Sequence, residues 1–219
     1  MNESSSQNLH VGFLKSLGHE TRTLLNGITG PVQIIRSLSD DSRLIEPLRI
    51  LELSVSRIDK FSFRSLLLVE LIMGKKLAAP KRFDFIDVFR YISLDLNDLN
   101  DFYNVKFNIT NDKTPISVEC DYELLYQSLL VLLERVTMLS NEGSIINVDF
   151  AKPSIPECTI ASNDNGLINR VLHNTLIAKE YPSDVDLYLF KISIEMLKIE
   201  INLSVLDNKS VTTIKLPSN

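Results

Sequence analysis

Two long runs of residues carry apolar side chains at helical spacing, and they constrain the fold more than any other feature. The first run begins at Leu9, continues past Pro31 and stops at the polar cluster Ser39–Ser42, which offers good helix N-cap residues. The second covers Leu44–Lys75, with Pro47 in its first turn. Apolar residues at steps of three, four or seven form the stripes, with two serines in the second: Phe13, Leu17, Leu24, Ile28, Val32 and Ile35, then Leu48, Leu51, Val55, Ile58, Ser62, Ser65, Val69 and Ile72. The pattern predicts two long helices joined by a short turn.

Such a pair of helices, predicted over residues 9–77, forms an antiparallel hairpin that cannot cover its own apolar stripes. Two copies that pair into a four-helix bundle bury them, so the sequence predicts a homodimer. Residues 1–8 are polar and rich in serine, and we expect them to be a disordered arm. We expect Pro31 to bend the first helix or loosen one turn, and Lys75 with Lys76 to close the second helix.

The periodicity becomes mixed after the short linker Ala78–Pro80, which indicates a second domain over residues 82–219. Helices there alternate with mostly antiparallel strands. The fold class expected for the whole chain is therefore α+β, a helical hairpin followed by an α/β sandwich. The predicted elements, in chain order, are a helix at Phe83–Asp101 after an extended entry, strands at Val105–Thr110 and Ser117–Cys120, a helix at Tyr122–Met138, strands at Ile145–Phe150 and Cys158–Ser162, a helix at Asp186–Leu197, and strands at Glu200–Val205 and Val211–Leu216.

The charge distribution excludes several classes of function. The net charge is −5, which argues against nucleic-acid binding, because phosphate backbones are bound by clustered Lys and Arg. Residues 1–79 carry a balance of +2 and the remainder a balance of −7, which indicates two parts with different roles. No apolar run approaches the ~20 residues of a membrane span. The two cysteines, Cys120 and Cys158, match no metal spacing, so we expect reduced thiols in a cytoplasmic protein that binds no membrane.

His19 is the most informative single residue of the first run. It lies two residues after Leu17 and five before Leu24, so at ~100° per residue its side chain points away from the apolar stripe. A solvent-facing imidazole on a rigid helix can accept a phosphoryl group, and the neighbouring Glu20 can fix its tautomer and raise its basicity. Thr23, one turn further on the same face, can orient a water for hydrolysis of that group. The alternative is an ordinary surface histidine.

The segment Gly18–Ile28 resembles the phosphoacceptor box of histidine kinases, and it lies at the head of a helical hairpin as that box requires. One position departs, because Leu24 stands where the family has proline. The resemblance implies that His19 is the phosphorylated residue, that Glu20 acts as acid or base, and that Thr23 supports phosphatase action on a partner regulator. The matching residues are His19, Glu20, Arg22, Thr23, Leu25, Asn26 and Ile28.

The resemblance extends over nearly the whole chain. Leu67–Lys76 resembles the end of the second dimerisation helix. Phe83–Phe85 resembles the start of the catalytic and ATP-binding domain. Cys120–Gln127 resembles the lead-in to the nucleotide-binding helix. The sequence is thus similar to a histidine kinase core.

The positions that hold ATP in that family have changed. Arg135 stands where the resemblance implies a magnesium-holding Asn, and an Arg has no acceptor for a metal. Met138 stands at the expected Lys. The adenine-reading Asp-x-Gly-x-Gly survives only as Asp164–Gly166. A second glycine box has become Asp184 and Asp186, whose carboxylates block close backbone approach and repel a triphosphate. Four changes at independent contact points predict a degenerate domain that serves as a scaffold and does not bind ATP productively.

These observations predict a histidine phosphotransferase of a two-component phosphorelay, related to bacterial phosphorelay phosphotransferases. It would pass a phosphoryl group between receiver-domain aspartates through His19 without ATP. Its partners would be receiver domains of response regulators or a hybrid kinase, docked beside His19, Arg22 and Asn26. It needs no cofactor of its own, because the receiver brings the magnesium. The alternatives are a pseudokinase binding module or phosphatase acting on a response regulator, and a kinase with an atypical ATP site.

Overall fold

The computed structural model describes residues 21–23, 25–37, 41–74, 79–110, 113–150, 155–163, 184–206 and 209–217. The chain divides into two compact units, Met1–Leu77 and Ala78–Asn219. Within the ranges just given, no helix combines the length and the apolar character needed to cross a membrane. The two units differ in class, because the first is helical and the second contains both helices and strands.

The described part of the first unit contains two helices, α1 at residues 25–37 and α2 at Ser42–Ile72. Residues 21–23 are also helical, and α1 continues through Pro31. Asp41 caps α2, because its side chain accepts a hydrogen bond from the backbone N–H of Arg43 at 3.0 Å. The polar stop expected at residues 39–42 is confirmed at Asp41 and Ser42.

The end of α2 differs from the sequence prediction. The helix stops at Ile72, three residues before the predicted Lys75. The backbone N–H of Met73 still donates to the carbonyl of Val69, and Gly74 then adopts a φ of +62°. That left-handed conformation suits glycine, which has no Cβ to clash, so the glycine ends the helix before the lysines are reached.

The second unit contains four helices and seven strands among its described residues, and its mixed α+β character is confirmed. The helices are α3 at Phe85–Asp95, α4 at Asn97–Tyr103, α5 at Tyr122–Leu139 and α6 at Val185–Leu197. The strands are β1 at Pro80–Asp84, β2 at Lys106–Thr110, β3 at Ser117–Asp121, β4 at Ile145–Asp149, β5 at Glu157–Ser162, β6 at Glu200–Leu206 and β7 at Lys209–Lys215.

The strands form two sheets. β1 and β3 pair antiparallel as a two-stranded sheet, and the other five follow the order β2-β4-β5-β7-β6. Among the strand pairs that the structure describes, β2 with β4 is the one parallel pair, so the expectation of mostly antiparallel strands is confirmed. Alternate residues of β4 and β5 are buried, as a sheet covered on one face requires.

The helix predicted over Phe83–Asp101 is wrong as a single element. Its first two residues belong to β1, which pairs with the distant β3 from Pro80↔Asp121 to Asp84↔Ser117. Asp84 then caps α3, accepting from the N–H of Ile86 at 3.1 Å, and it also accepts from the N–H of Ile116 at 2.9 Å. A break at Leu96 separates α3 from α4. The pairing with β3 is not a local signal, so helical periodicity did not reveal it.

The core of the second unit lies between the sheet and the helices. Phe85, Phe89 and Phe150 meet edge to face, with ring centroids 5.4 to 5.7 Å apart. Along α5 the residues Leu129–Leu133 are nearly all inaccessible to solvent. This core fixes α5, and α5 in turn fixes Arg135.

Candidate functional site

The phosphoacceptor box is described from Thr21 onward, and His19 and Glu20 lie outside the described residues. The segment 21–23 is helical, and Thr23 is exposed. Asn26, four residues after Arg22, is also exposed, so these two lie one turn apart on one helix face. Both residues predicted to contact a partner are therefore accessible in the single chain.

Arg22 contacts the second helix of the hairpin. Its Nε atom donates to Oδ1 of Asp59 at 2.9 Å, and the two side chains are 54% and 43% exposed. An ion pair this exposed adds little stability, but it fixes where the guanidinium lies. Near the other end, Arg36 pairs with Glu52 at 2.5 Å, so two ion pairs join the antiparallel helices. Sequence reasoning missed Asp59, because its pairing spans 37 residues and has no local pattern.

The predicted nucleotide-site residues Arg135, Asp184 and Asp186 come together in the second unit, and we call them the Arg135 cluster. A guanidinium nitrogen of Arg135, on α5, forms a short ion pair with Oδ2 of Asp184. The same nitrogen lies 3.8 Å from Oδ2 of Asp186. The contact points expected to be independent are therefore one ion-paired group, in which a single guanidinium serves two carboxylates and the excess charge is negative.

Asp184 has a second role as the N-cap of α6. Its Oδ1 accepts from the backbone N–H groups of Asp186 at 3.0 Å and Leu187 at 3.1 Å. The start of a helix favours an anion, because its first N–H groups lack partners within the helix. The Asp184 carboxylate occupies this position itself. Asp is a preferred N-cap residue, and this property was the sequence signal that could have revealed the role.

Of the other residues predicted in the nucleotide site, the structure describes Met138 but not Asp164 or Gly166. Met138 is half-buried on the last turn of α5.

The aspartate just before α5, Asp121, is buried. Its Oδ1 accepts from the N–H of Leu124 at 3.0 Å and its Oδ2 from the N–H of Ala79 at 2.9 Å. Asp121 thus caps α5 and ties the start of the unit to it.

The two cysteines are free thiols inside the second unit. Burial, with a smaller contribution from the negative charge of the neighbouring Asp121, raises the pKa of Cys120 to about 11. Burial also raises the pKa of Cys158 well above its ordinary value, with Glu157 and Asp149 adding to the shift. Both groups therefore remain protonated and poorly nucleophilic near neutral pH.

Comparison with known structures relates the whole chain to one fold. The Acinetobacter baumannii histidine kinase AdeS aligns with 91% of this chain and 95% of its own, at 20% identity and a TM-score of 0.50. Full-length ShkA, solved in complex with AMPPNP, aligns with 94% of this chain at 14% identity and a TM-score of 0.57, and this chain spans 45% of its length. The fold is that of a histidine kinase core. No protein-family profile and no curated protein sequence matches the chain.

Proposed function

We propose that the chain is a histidine phosphotransferase of a two-component phosphorelay that works without ATP. The observation that carries the proposal is the Arg135 cluster, found in a histidine kinase fold whose sequence matches a phosphoacceptor box at all specified positions but Leu24. A carboxylate already occupies the start of α6, and the guanidinium of Arg135 is already paired with it. A triphosphate that arrives there meets Asp184 and Asp186 and loses the favourable N–H groups to a cap.

The phosphoryl step uses His19 of the hairpin. The lone pair of a neutral imidazole nitrogen attacks phosphorus of the receiver's aspartyl phosphate. The P–N bond forms as the P–O bond breaks, and the aspartate leaves as a carboxylate. The proton on the other ring nitrogen then passes to Glu20 or to solvent, and the transfer reverses toward a second receiver. The magnesium that neutralises the phosphoryl oxygens during transfer belongs to the receiver domain.

The exposed residues of the hairpin support docking of a receiver beside the histidine. Arg22 is held by Asp59 and is 54% exposed, and Asn26 presents an amide one turn away. A planar guanidinium and an amide are suited to carboxylates and backbone carbonyls on a partner surface. We place the receiver contact on this edge and the pairing of two copies on the apolar stripe of α2.

Two-donor labelling tests the proposal. The purified chain is mixed with a receiver domain carrying labelled aspartyl phosphate and, separately, with labelled ATP and magnesium. We expect label on the chain only from the receiver, and a loss of more than about 1,000-fold in His19→Ala, because the acceptor nitrogen is gone. His173→Ala, which removes another histidine, serves as the matched control and should label normally.

Other outcomes separate the alternatives. Label from ATP on His19 would show a kinase with an atypical site and would overturn our interpretation of the Arg135 cluster. Label from neither donor would favour a binding module. Rapid release of free phosphate that is lost in Thr23→Ala would indicate a phosphatase, for which the exposed position of Thr23 is the supporting observation.

A further inference from the structure

A cluster of tyrosines and carboxylates lies on the surface formed by α3 and the first turns of α5 in the second unit. It shares no residue with the Arg135 cluster. On α3 the contributing residues recur at steps of three and four, so they share a helix face. Tyr91 is 55% exposed and Leu94 is 72% exposed, although both are large apolar side chains. The cluster, which we call the tyrosine patch, consists of Asp87, Tyr91, Leu94 and Asp95 on α3 with Tyr122 and Tyr126 on α5.

The α5 side of the patch is rigid. The rings of Tyr122 and Tyr126 stack with centroids 5.8 Å apart and planes 20° apart, and Phe83 meets Tyr122 edge-on at 5.1 Å. The hydroxyl of Tyr126 donates to Oδ2 of Asp95 at 2.5 Å, which joins α5 to α3. The rings are therefore ordered by contacts within the unit and lose little freedom when a ligand binds.

The electrostatic coupling across the patch agrees with this geometry. Burial raises the pKa of Tyr122, and Tyr91, Asp87 and Asp95 raise it further because their negative charges oppose ionisation of the phenol. Burial and the hydrogen bond to Asp95 likewise raise the pKa of Tyr126. The phenols of Tyr122 and Tyr126 thus stay neutral at physiological pH. Because Arg90 pairs with Asp87 at 2.9 Å, the negative charge that the patch can offer to a ligand is that of Asp95.

These features favour one class of ligand. An aromatic face attracts a cation through its quadrupole, most strongly a guanidinium, which also stacks on the ring. The carboxylate of Asp95 beside the rings can pair with the same group, and Leu94 offers apolar surface to the aliphatic stem of its side chain. Residues 80–219 carry 13 Lys and Arg against 20 Asp and Glu, so the surrounding field attracts a basic partner.

We propose that the tyrosine patch docks an arginine-bearing segment of a partner protein. Stacking on the tyrosine rings and pairing with Asp95 would hold the guanidinium, while Leu94 would cover its stem. This surface lies in the second unit and does not use His19, so the proposal goes beyond phosphotransfer and stands whether or not the chain relays phosphoryl groups. It gives the second unit a binding role.

The test uses the full chain and a fluorescein-labelled peptide of four arginines separated by glycine and serine, with binding followed by fluorescence anisotropy. The triple variant Tyr91→Ala/Leu94→Ala/Asp95→Asn should weaken binding at least about tenfold, because it removes a ring, an apolar contact and a charge. The matched control Asp101→Asn removes one exposed carboxylate of α4, outside the patch, and should change the dissociation constant less than about twofold.

A second peptide, in which citrulline replaces arginine, separates charge from shape. Citrulline keeps the planar group and the stem but carries no charge, so we expect its binding to be at least about tenfold weaker. Three results would overturn the proposal: no saturable binding of the arginine peptide, equal loss in the patch variant and in Asp101→Asn, or equal binding of the citrulline peptide. Tyr91 and Leu94 are exposed, so their replacement leaves the core unchanged, and circular dichroism of each variant checks that the fold is kept.

Discussion

The first unit, the helical hairpin, and the second unit, which we call the sandwich unit, differ in how much apolar surface they leave exposed. Among the described residues, the hairpin exposes ten large apolar side chains, and the much longer sandwich unit exposes four. The hairpin set is Ile28, Ile34, Ile35, Leu44, Ile45, Ile50, Leu51, Ile58, Phe61 and Ile72, and the other set is Tyr91, Leu94, Leu139 and Met196. The sandwich unit thus covers most of its large apolar side chains itself, whereas the hairpin exposes an apolar face of the kind that binds a partner.

The two units also differ in their functional residues. The hairpin carries the residues that resemble a phosphoacceptor box, while the sandwich unit pairs Arg135 with two aspartates where we propose that a nucleotide site has been lost. The comparison teaches that such a loss need not leave a damaged domain. The guanidinium offsets part of the repulsion between the two carboxylates, and Asp184 caps the start of α6.

The largest effect expected from this comparison concerns the hairpin. Leu44, Leu51 and Ile58 follow one another at steps of seven residues, and Ile72 lies two such steps after Ile58, past Ser65. All four apolar side chains are exposed, and this is the spacing of a helix–helix seam. Ile58→Glu places a charge on that seam in both copies, so we expect the dimer dissociation constant to rise at least about 100-fold. Light scattering should show a change from twice the chain mass of 24.8 kDa to that of one chain.

The matched control for that variant is Ser56→Glu, which adds the same charge at an exposed position on the other side of α2. It should remain dimeric. A wild-type chain that is monomeric at micromolar concentration would contradict the pairing of two copies, and the exposed stripe would then need another partner.

A smaller effect is expected when the Arg135 cluster is broken. Arg135→Ala leaves the carboxylates of Asp184 and Asp186 close together without their cation, so we expect a loss of about 1 kcal/mol in the free energy of unfolding. Urea denaturation measures the loss. Arg90→Ala is the control, because Arg90 pairs with Asp87 at 2.9 Å on one exposed helix face and should cost less than about 0.5 kcal/mol.

Asp184→Asn in the Arg135→Ala background tests whether charge is the cause. The amide oxygen keeps the cap of α6 but removes one repelling carboxylate, so part of the lost stability should return. Additive losses in the double variant would instead mean that Arg135 and Asp184 do not interact in solution.

The sequence predicted most elements of the sandwich unit because their signals are local. The apolar run of α5 and the alternation of β4 and β5 are visible in any short window, and their observed bounds fall within one residue of the predicted ones. The errors occur where distant residues decide. β1 exists because it pairs with β3, and Gly74 ends α2 before the lysines.

The candidate site follows the same rule. The residue types at Arg135, Asp184 and Asp186 were readable, and their ion pairing was not, because Arg135 lies 49 residues before Asp184. The opposite charges of Arg135 and Asp184, at two positions that both depart from the family pattern, were the signal from which their ion pair could have been predicted. The partner of Arg22, Asp59, was hidden for the same reason, since no period links residues on two antiparallel helices whose register is unknown.

The smallest expected effect uses the cysteines, which occur only in the sandwich unit and so report on that unit alone. A thiol whose pKa rises from 9.0 to about 11 has about 100-fold less thiolate at pH 8, so Cys120 should react with Ellman's reagent about 100-fold more slowly than in the unfolded chain. The raised pKa also means that the folded state holds a proton that the unfolded state releases. Its contribution to stability is therefore present below pH 9 and is lost as the pH rises toward 11. Cys120→Ser should remove this alkaline component.

Because no cysteine lies in the hairpin, Ile58→Glu should leave the native labelling rate unchanged if the sandwich unit is complete in itself. Faster labelling in that variant would mean that the sandwich unit depends on the association of the hairpins, and the contrast between the two units would have to be given up.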